Sequence, residues 1–343
     1  MKRIPNLDLF RFIAISSVLY YHLSQRFLFD FYADKRFIDI GKYGVELFFT
    51  LSGFLIGSIY YKNSKSVNLF KFWLQRFIRT YPPYLVAFAI YFLLAYIAKK
   101  ERFDLGYLVF FQNYYYVMPL FKISWSLCVE EHFYLIFPII MLVLDRWIQN
   151  KKITFLFWIV ICLLPTCFRY EFGNYKSTEW GFYITASIFR FDGIAIGCFI
   201  AFIVNKYDLT KWRSSHKNNI ILSIIALALA FWLTGPQSLL KYSVGYLFLV
   251  VNIGLLMLSL YFSPDLILSK TSVIKGMAAM AYSLYLTHAL LINFFEVLQN
   301  KFKVQGYFIA PVCLAFIIII GKIYYIFIER KSIDLRNKLL GHR

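Results

Sequence analysis

Ten stretches of this 343-residue chain are too apolar and too long to lie in water, and their repetition dictates the fold class. They run over about 7–28, 44–61, 83–98, 125–144, 154–169, 182–204, 219–235, 242–262, 276–297 and 307–328. A helix of about 20 residues crosses the hydrocarbon of a bilayer, and runs of roughly 16 to 24 residues meet that length. A composition that is 60% hydrophobic and 21% aromatic excludes an ordinary soluble domain of this size. The pattern predicts an all-α integral membrane protein of about ten transmembrane helices. It reads as one polytopic domain over 1–343, with no fused soluble domain. The first run carries Asp8 and Arg11 and no small-residue cleavage site follows it, so it reads as a retained helix, not a signal peptide.

A net charge of +19 invites a nucleic-acid reading, but Lys and Arg are scattered through the short loops between apolar runs. That distribution fits membrane topology and leaves no basic groove, so a nucleic-acid partner is not expected. With ten helices and a cytoplasmic N-terminus, 21 basic residues fall in inside loops and 13 in outside loops. The inside set includes Lys2, Lys62, Lys65, Arg76, Arg79, Lys275, Arg330 and Arg343, and it places both termini in the cytoplasm. Leu105 to Pro119, with Gln112, Asn113 and the run Tyr114-Tyr115-Tyr116, reads as an interfacial or re-entrant stretch. The cysteines, five and all in apolar runs, show neither a disulfide framework nor metal-ligand spacing and read as buried small hydrophobes.

Arg11 and His22 lie in the first run, eleven residues apart, which is three turns plus about 20°, or about 16 Å along one helix face. Ionisable side chains inside a membrane helix mark a functional site by default. In the predicted topology His22, Glu130, Arg190 and His288 converge at similar depth in the outer half, from four different helices, while Arg11 lies near the inner end. Glu131 and His132 are expected on other faces. Gly53 and Gly57 form a small-xxx-small pattern that permits close packing. Arg190 and Asp192 cannot share a face, so one of them could pair with another helix. His288 could equally be a hydrogen-bonded core histidine. Lys322 and Glu329 read as a topology feature and a terminal helix pair.

Seven motifs in order resemble the membrane acyltransferase-3 family over nearly the whole chain. They are Arg11 to His22, with ten residues between; Gly44 to Ile56, with Glu46 where Asp is more usual; and Arg76-Phe77-Ile78-Arg79, an Arg-x-x-Arg loop motif. Then come Trp125-Ser126-Leu127-Cys128-Val129-Glu130, followed by Phe133-Tyr134; Phe189-Arg190-Phe191-Asp192-Gly193; Tyr282 to His288; and Ile328-Glu329-Arg330. The resemblance implies acylation of sugars in bacterial surface polysaccharides, with cytoplasmic acetyl-CoA or another acyl-CoA as donor and no metal.

A sugar hydroxyl needs a general base as it attacks a thioester, and His suits that task because its ordinary pKa lies near neutrality. The expected catalytic residues are His22 and Glu130, the latter as an orienting carboxylate or second titrating group. Arg76 and Arg79, three apart, share a face if their loop is helical, and paired guanidiniums suit the donor's phosphates. Arg11 either contacts the donor further along or pairs with Asp8. Trp125, Ser126, Arg190 and His288 are expected to bind substrate or support the site. The expected partners are acyl-CoA, a glycan or lipid-linked glycan acceptor and the bilayer of the bacterial inner membrane. The chain ends about 15 residues after the last run, so direct transfer or a separate periplasmic partner is expected. Two rival readings are a transporter of lipid-linked sugars or acyl donors, and an inactive scaffold of the same fold.

Overall fold

The computed structural model describes residues 3–32, 36–63, 68–98, 103–115, 117–118, 120–147, 150–172, 180–234 and 240–340. Lys2, Lys65, Tyr116, Pro119, Arg343 and the last residue of the 219–235 run lie outside them. Among the described residues each expected run has a long helical counterpart: α1 Pro5–Phe27, α2 Gly44–Asn63, α3 Leu69–Ile97, α4 Trp125–Trp147, α5 Lys151–Phe172, α6 Asp192–Lys206, α7 His216–Leu233, α8 Tyr246–Phe262, α9 Ala281–Phe302 and α10 Gly306–Tyr324. Eight helical stretches are long and apolar enough to cross a membrane, and α1 and α6 are not among them. The reason is position. Asp8, Arg11 and Arg26 lower the hydropathy of α1, and α6 has only 15 residues, but both pack at the centre of the bundle. Asp8 of α1 and Asp192 of α6 therefore face protein, where they are tolerated, while Arg26 is exposed at the end of α1.

Packing gathers the helix termini at two ends. At one, Asn6 at the start of α1 donates to the carbonyls of Leu260 (3.0 Å) and Ser263 (3.2 Å) at the end of α8, and Tyr60 donates to Asp145 at 2.7 Å. At the other, Tyr43 donates to Thr234 at 2.9 Å and Arg26 pairs with Glu296. The closest crossing joins α2 to α6. A Cβ on Gly53 would sit 2.0 Å from the Ile194 carbonyl oxygen, and one on Gly197 would sit 2.1 Å from that of Thr50. Only glycine lets these backbones touch, which is the purpose anticipated for Gly53.

Three expectations change. The loop 62–82 is largely helix: α3 begins at Leu69 and runs through Pro82 and Pro83. A proline pair removes the two helix hydrogen bonds that the Ile78 and Arg79 carbonyls would accept, and tyrosines of other helices bond carbonyls beside the pair. Tyr282 donates to Thr80 at 2.9 Å, and Tyr324 donates to Pro83. The 182–204 run is broken, with a short helix Trp180–Thr185, a 3-10 turn Ser187–Phe189 and then α6. Side chains satisfy that broken backbone. Arg190 donates to Ile184, Asn113 to Thr185 (both 3.1 Å) and Arg169 to Phe189 (2.5 Å). Irregular backbone survives at membrane depth when protein buries it in this way. Cys167 is exposed, unlike the other four cysteines.

Candidate active site

Two cavities penetrate the bundle from its opposite ends and share Val45 and Tyr285 as wall residues. The first, about 120 Å³, is reached beside α3 and holds Arg11, Arg76 and Arg79 together with Glu130, Glu131 and Glu329. Three acids facing three arginines would ordinarily cancel. Here hydroxyls and a backbone amide hold the acids instead. Glu130 accepts from Tyr134 at 2.8 Å and Ser52 at 3.3 Å, and Glu131 accepts from Thr80 at 2.8 Å. Glu329 accepts from the backbone N–H (3.1 Å) and the hydroxyl of Ser283, capping the start of α9. Arg11 lies 3.2 Å from Asp8. Among the described residues Arg76 and Arg79 make no ion pair within 4.0 Å; Arg76 instead lies over the Tyr134 ring at 5.5 Å. Guanidiniums that make no contact pair with the carboxylates of their own cavity keep their N–H groups free for a multivalent anion, which they can grip bidentately.

The second cavity, about 560 Å³, is walled by aromatic rings, among them Tyr21, Tyr43, Trp125, Tyr242 and Tyr246. His22 projects into it from α1. Its ring centroid is 5.0 Å from that of His288, a fully buried residue of α9. His288 Nδ1 is 2.7 Å from the Tyr285 carbonyl and 3.2 Å from that of Leu284. That contact fixes the proton on Nδ1 and leaves Nε2 as a buried acceptor without a partner. The Tyr285 hydroxyl, 2.5 Å from Ser126 Oγ and 2.8 Å from the Ile123 carbonyl, stands where the two cavities meet. In this cavity two of the cations, Arg190 and Lys42, lie beside acids, while Lys122 also lines the wall. Arg190 pairs with the fully buried Glu46 and lies over Trp125 (4.8 Å) and Tyr246 (4.9 Å), while Lys42 lies 3.7 Å from Asp39.

The family now follows from comparison. The acyltransferase-3 family, described as an acyltransferase domain, matches residues 4–327. The chain belongs to the acyltransferase-3 family. A Staphylococcus aureus (strain COL) protein provisionally named an O-acetyltransferase is 27% identical over 364 residues, covering 96% of this chain and 57% of its own length. O-acetyltransferase OatA of Staphylococcus aureus (strain NCTC 8325) is 27% identical over 339 residues, covering 89% of this chain and 52% of its own. The chain thus spans little more than half the length of these relatives. No solved structure matches it.

The expected site residues divide between the two cavities. Arg11, Arg76, Arg79, Ser126 and Glu130 line the first; His22, Trp125 and Arg190 line the second, with His288 behind His22. Glu130 therefore does not converge with His22, Arg190 and His288. Because α4 begins at Trp125, in the second cavity's wall, Glu130 lies more than one turn further along, in the first cavity. Glu131 also lines that first cavity, contrary to the expectation of another face; His132 does turn away, to Ser187 at 2.7 Å. Glu329 is no terminal helix pair but part of the first cavity, rotated inward by the π-turn Tyr325–Glu329 that ends α10.

Two residues went unseen, a buried structural arginine and a site tyrosine. Arg169, at the end of the 154–169 run, is fully buried and bonds Asp192 at 2.7 Å. Tyr285 gave no sign beyond lying in the Tyr282 to His288 motif. Among the described residues no group of three or more His, Cys, Asp and Glu side chains is placed to hold a metal ion.

Proposed function

We propose that the protein is an O-acetyltransferase of the bacterial inner membrane, moving acetyl from acyl-CoA to a hydroxyl of a surface polysaccharide or its lipid-linked precursor. The observation that carries this reading is the asymmetry of the two joined cavities: unpaired arginines in one, a cavity-facing histidine in the other. Both termini lie in the cytoplasm, so the arginine cavity opens there. Arg76 and Arg79 hold the donor's phosphates and Arg11 meets the donor further in. A cavity of about 120 Å³ has room for the acyl end of the donor's arm and leaves the nucleotide at the mouth. The thioester then lies near Tyr285 and Ser126, within reach of the aromatic cavity. His22 takes the proton of the acceptor hydroxyl as its oxygen bonds to the acyl carbon. The carbon–sulfur bond breaks, and coenzyme A leaves as a thiol with that proton. His288, its proton fixed on Nδ1, orients His22. Glu130 orients the groups around the donor. Names of the relatives support acetyl as the group moved.

Purified protein in nanodiscs tests this with acetyl-CoA labelled in its acetyl group and a polysaccharide acceptor. The expected result is free coenzyme A and label in the glycan, both lost in His22→Ala. Label crossing the bilayer without thioester cleavage would replace the enzyme by the transporter reading. An absence of any acetyl-CoA-induced thermal shift would favour the inactive scaffold.

A further inference from the structure

His22 lines a second cavity besides the aromatic one. This third space, about 660 Å³, lies on the other side of a wall formed by His22, Lys122 and Ile123, which line both. Its remaining surface comes from the ends of α1 and α9 and from Tyr91 of α3, and its polar groups are Gln25, Asn293 and the Arg26–Glu296 ion pair. Gln25, Arg26 and Asn293 are exposed, so the cavity opens to the same end of the bundle as the aromatic one. A cleft meant for lipid tails would be apolar. Amides beside an ion pair instead offer donors and acceptors to a hydroxylated ligand.

The two spaces complement each other. Aromatic rings present flat apolar faces, suited to the C–H faces of sugar rings, while amides and charged groups suit their hydroxyls. Each space falls within the roughly 300–1,000 Å³ that accommodates a drug-sized ligand, more than one sugar ring occupies. The reacting histidine stands between them, not at the blind end of either one.

We infer that the acceptor is an extended oligosaccharide segment lying across both cavities, with the residue to be acetylated held over His22 and its neighbours bound on either side. The inference rests on the acyl-transfer reading above and adds the acceptor's class: polymerised or at least oligomeric glycan, not a single sugar. Asn293 and Gln25 contact the residues on the far side from the aromatic cavity. Lys122, exposed at the shared wall, steadies the crossing segment.

The test uses fragments of the host's own surface polysaccharide, fractionated by length from one repeat unit upward, with the full-length protein in nanodiscs and labelled acetyl-CoA. Wild type should show kcat/KM rising about tenfold or more from the shortest fraction to the longest. Asn293→Trp, which fills the third cavity from an exposed position, should flatten that rise, and Asn293→Ala should reduce it. If wild type acetylates all lengths with equal kcat/KM, or Asn293→Trp lowers every fraction equally, the extended acceptor is wrong and acyl transfer stands. If no fraction is labelled and no coenzyme A is released, both readings fall together.

Discussion

The two joined cavities treat charge in opposite ways. In the arginine cavity, Glu130, Glu131 and Glu329 are held by hydroxyls and a backbone amide, and among the described residues Arg76 and Arg79 make no contact ion pair with them. In the aromatic cavity, Glu46 neutralises Arg190 and Asp39 lies beside Lys42. The same residue types therefore serve different ends. The first arrangement leaves guanidinium N–H groups open to a ligand; the second ties Arg190 and Lys42 to acids and offers rings, one histidine and Lys122. The contrast matters more than the number of charged groups, because a paired cation in a low-dielectric site attracts little.

The most severe test of the contrast removes the reactive group of the aromatic cavity. His22→Ala should lower kcat by about 10²–10⁴-fold, the usual worth of general acid–base catalysis. Donor affinity, measured by equilibrium binding of coenzyme A, should stay within about twofold, because His22 does not line the arginine cavity. A parallel loss of coenzyme A binding would mean that the two cavities are one site and would break the comparison.

Next come the acids. Glu46→Gln strips the counter-ion from Arg190 and should cost about 3–5 kcal/mol, the penalty for breaking a buried pair by removing one partner. Glu131→Gln exchanges a carboxylate for an amide that can still accept from Thr80, and should cost about 1 kcal/mol or less. Thermal unfolding in one detergent compares them directly. Equal falls in Tm would show that the acids of both cavities play the same structural part. Third are the unpaired arginines. Arg76→Ala and Arg79→Ala should each raise the donor KM by roughly 10–100-fold, since a hydrogen bond to a charged group contributes about 1.5–3 kcal/mol. Acceptor KM should barely move, and steady-state kinetics with each substrate varied in turn reads both.

How much of this division was legible in the sequence depended on the distance over which each feature is decided. Apolar runs are local, so the all-helical membrane fold could be read, with eight stretches among the described residues long and apolar enough to cross a bilayer, and so could the glycine crossing at Gly53. Pairing is not local. Arg169 with Asp192 spans 23 residues and Arg190 with Glu46 spans 144, and nothing in the sequence near Arg169 marks it as buried. Register failed for a related reason. A run of apolar residues locates a helix only to within a turn, and one turn is enough to move Glu130 from one cavity to the other. At α3 the apolar run from 83 showed only the second part of a helix that begins at Leu69 and passes through Pro82 and Pro83, where Tyr282 and Tyr324, distant in sequence, bond the carbonyls of Thr80 and Pro83. Glu329 was misplaced because a π-turn rotates the residues beyond it relative to an ideal α-helix.

The gentlest perturbation leaves every residue in place and asks the contrast to show itself in salt. The Debye length falls from about 10 Å at 0.1 M ionic strength to about 3 Å at 1 M. Arg76 and Arg79 are only partly buried, so their attraction for a polyanionic donor acts through screened space. Raising salt from about 0.1 to 0.5 M should raise the donor KM several-fold. A neutral glycan meeting rings and a histidine feels no such field, and its KM should change by less than about twofold. The Glu46–Arg190 pair, fully buried on its acidic side, is screened far less, so kcat should hold across the same range. A salt-independent donor KM would mean that Arg76 and Arg79 anchor α3 and hold no ligand charge. A donor KM and acceptor KM rising together would show that positive charge reaches both cavities, and the division drawn between them would be lost.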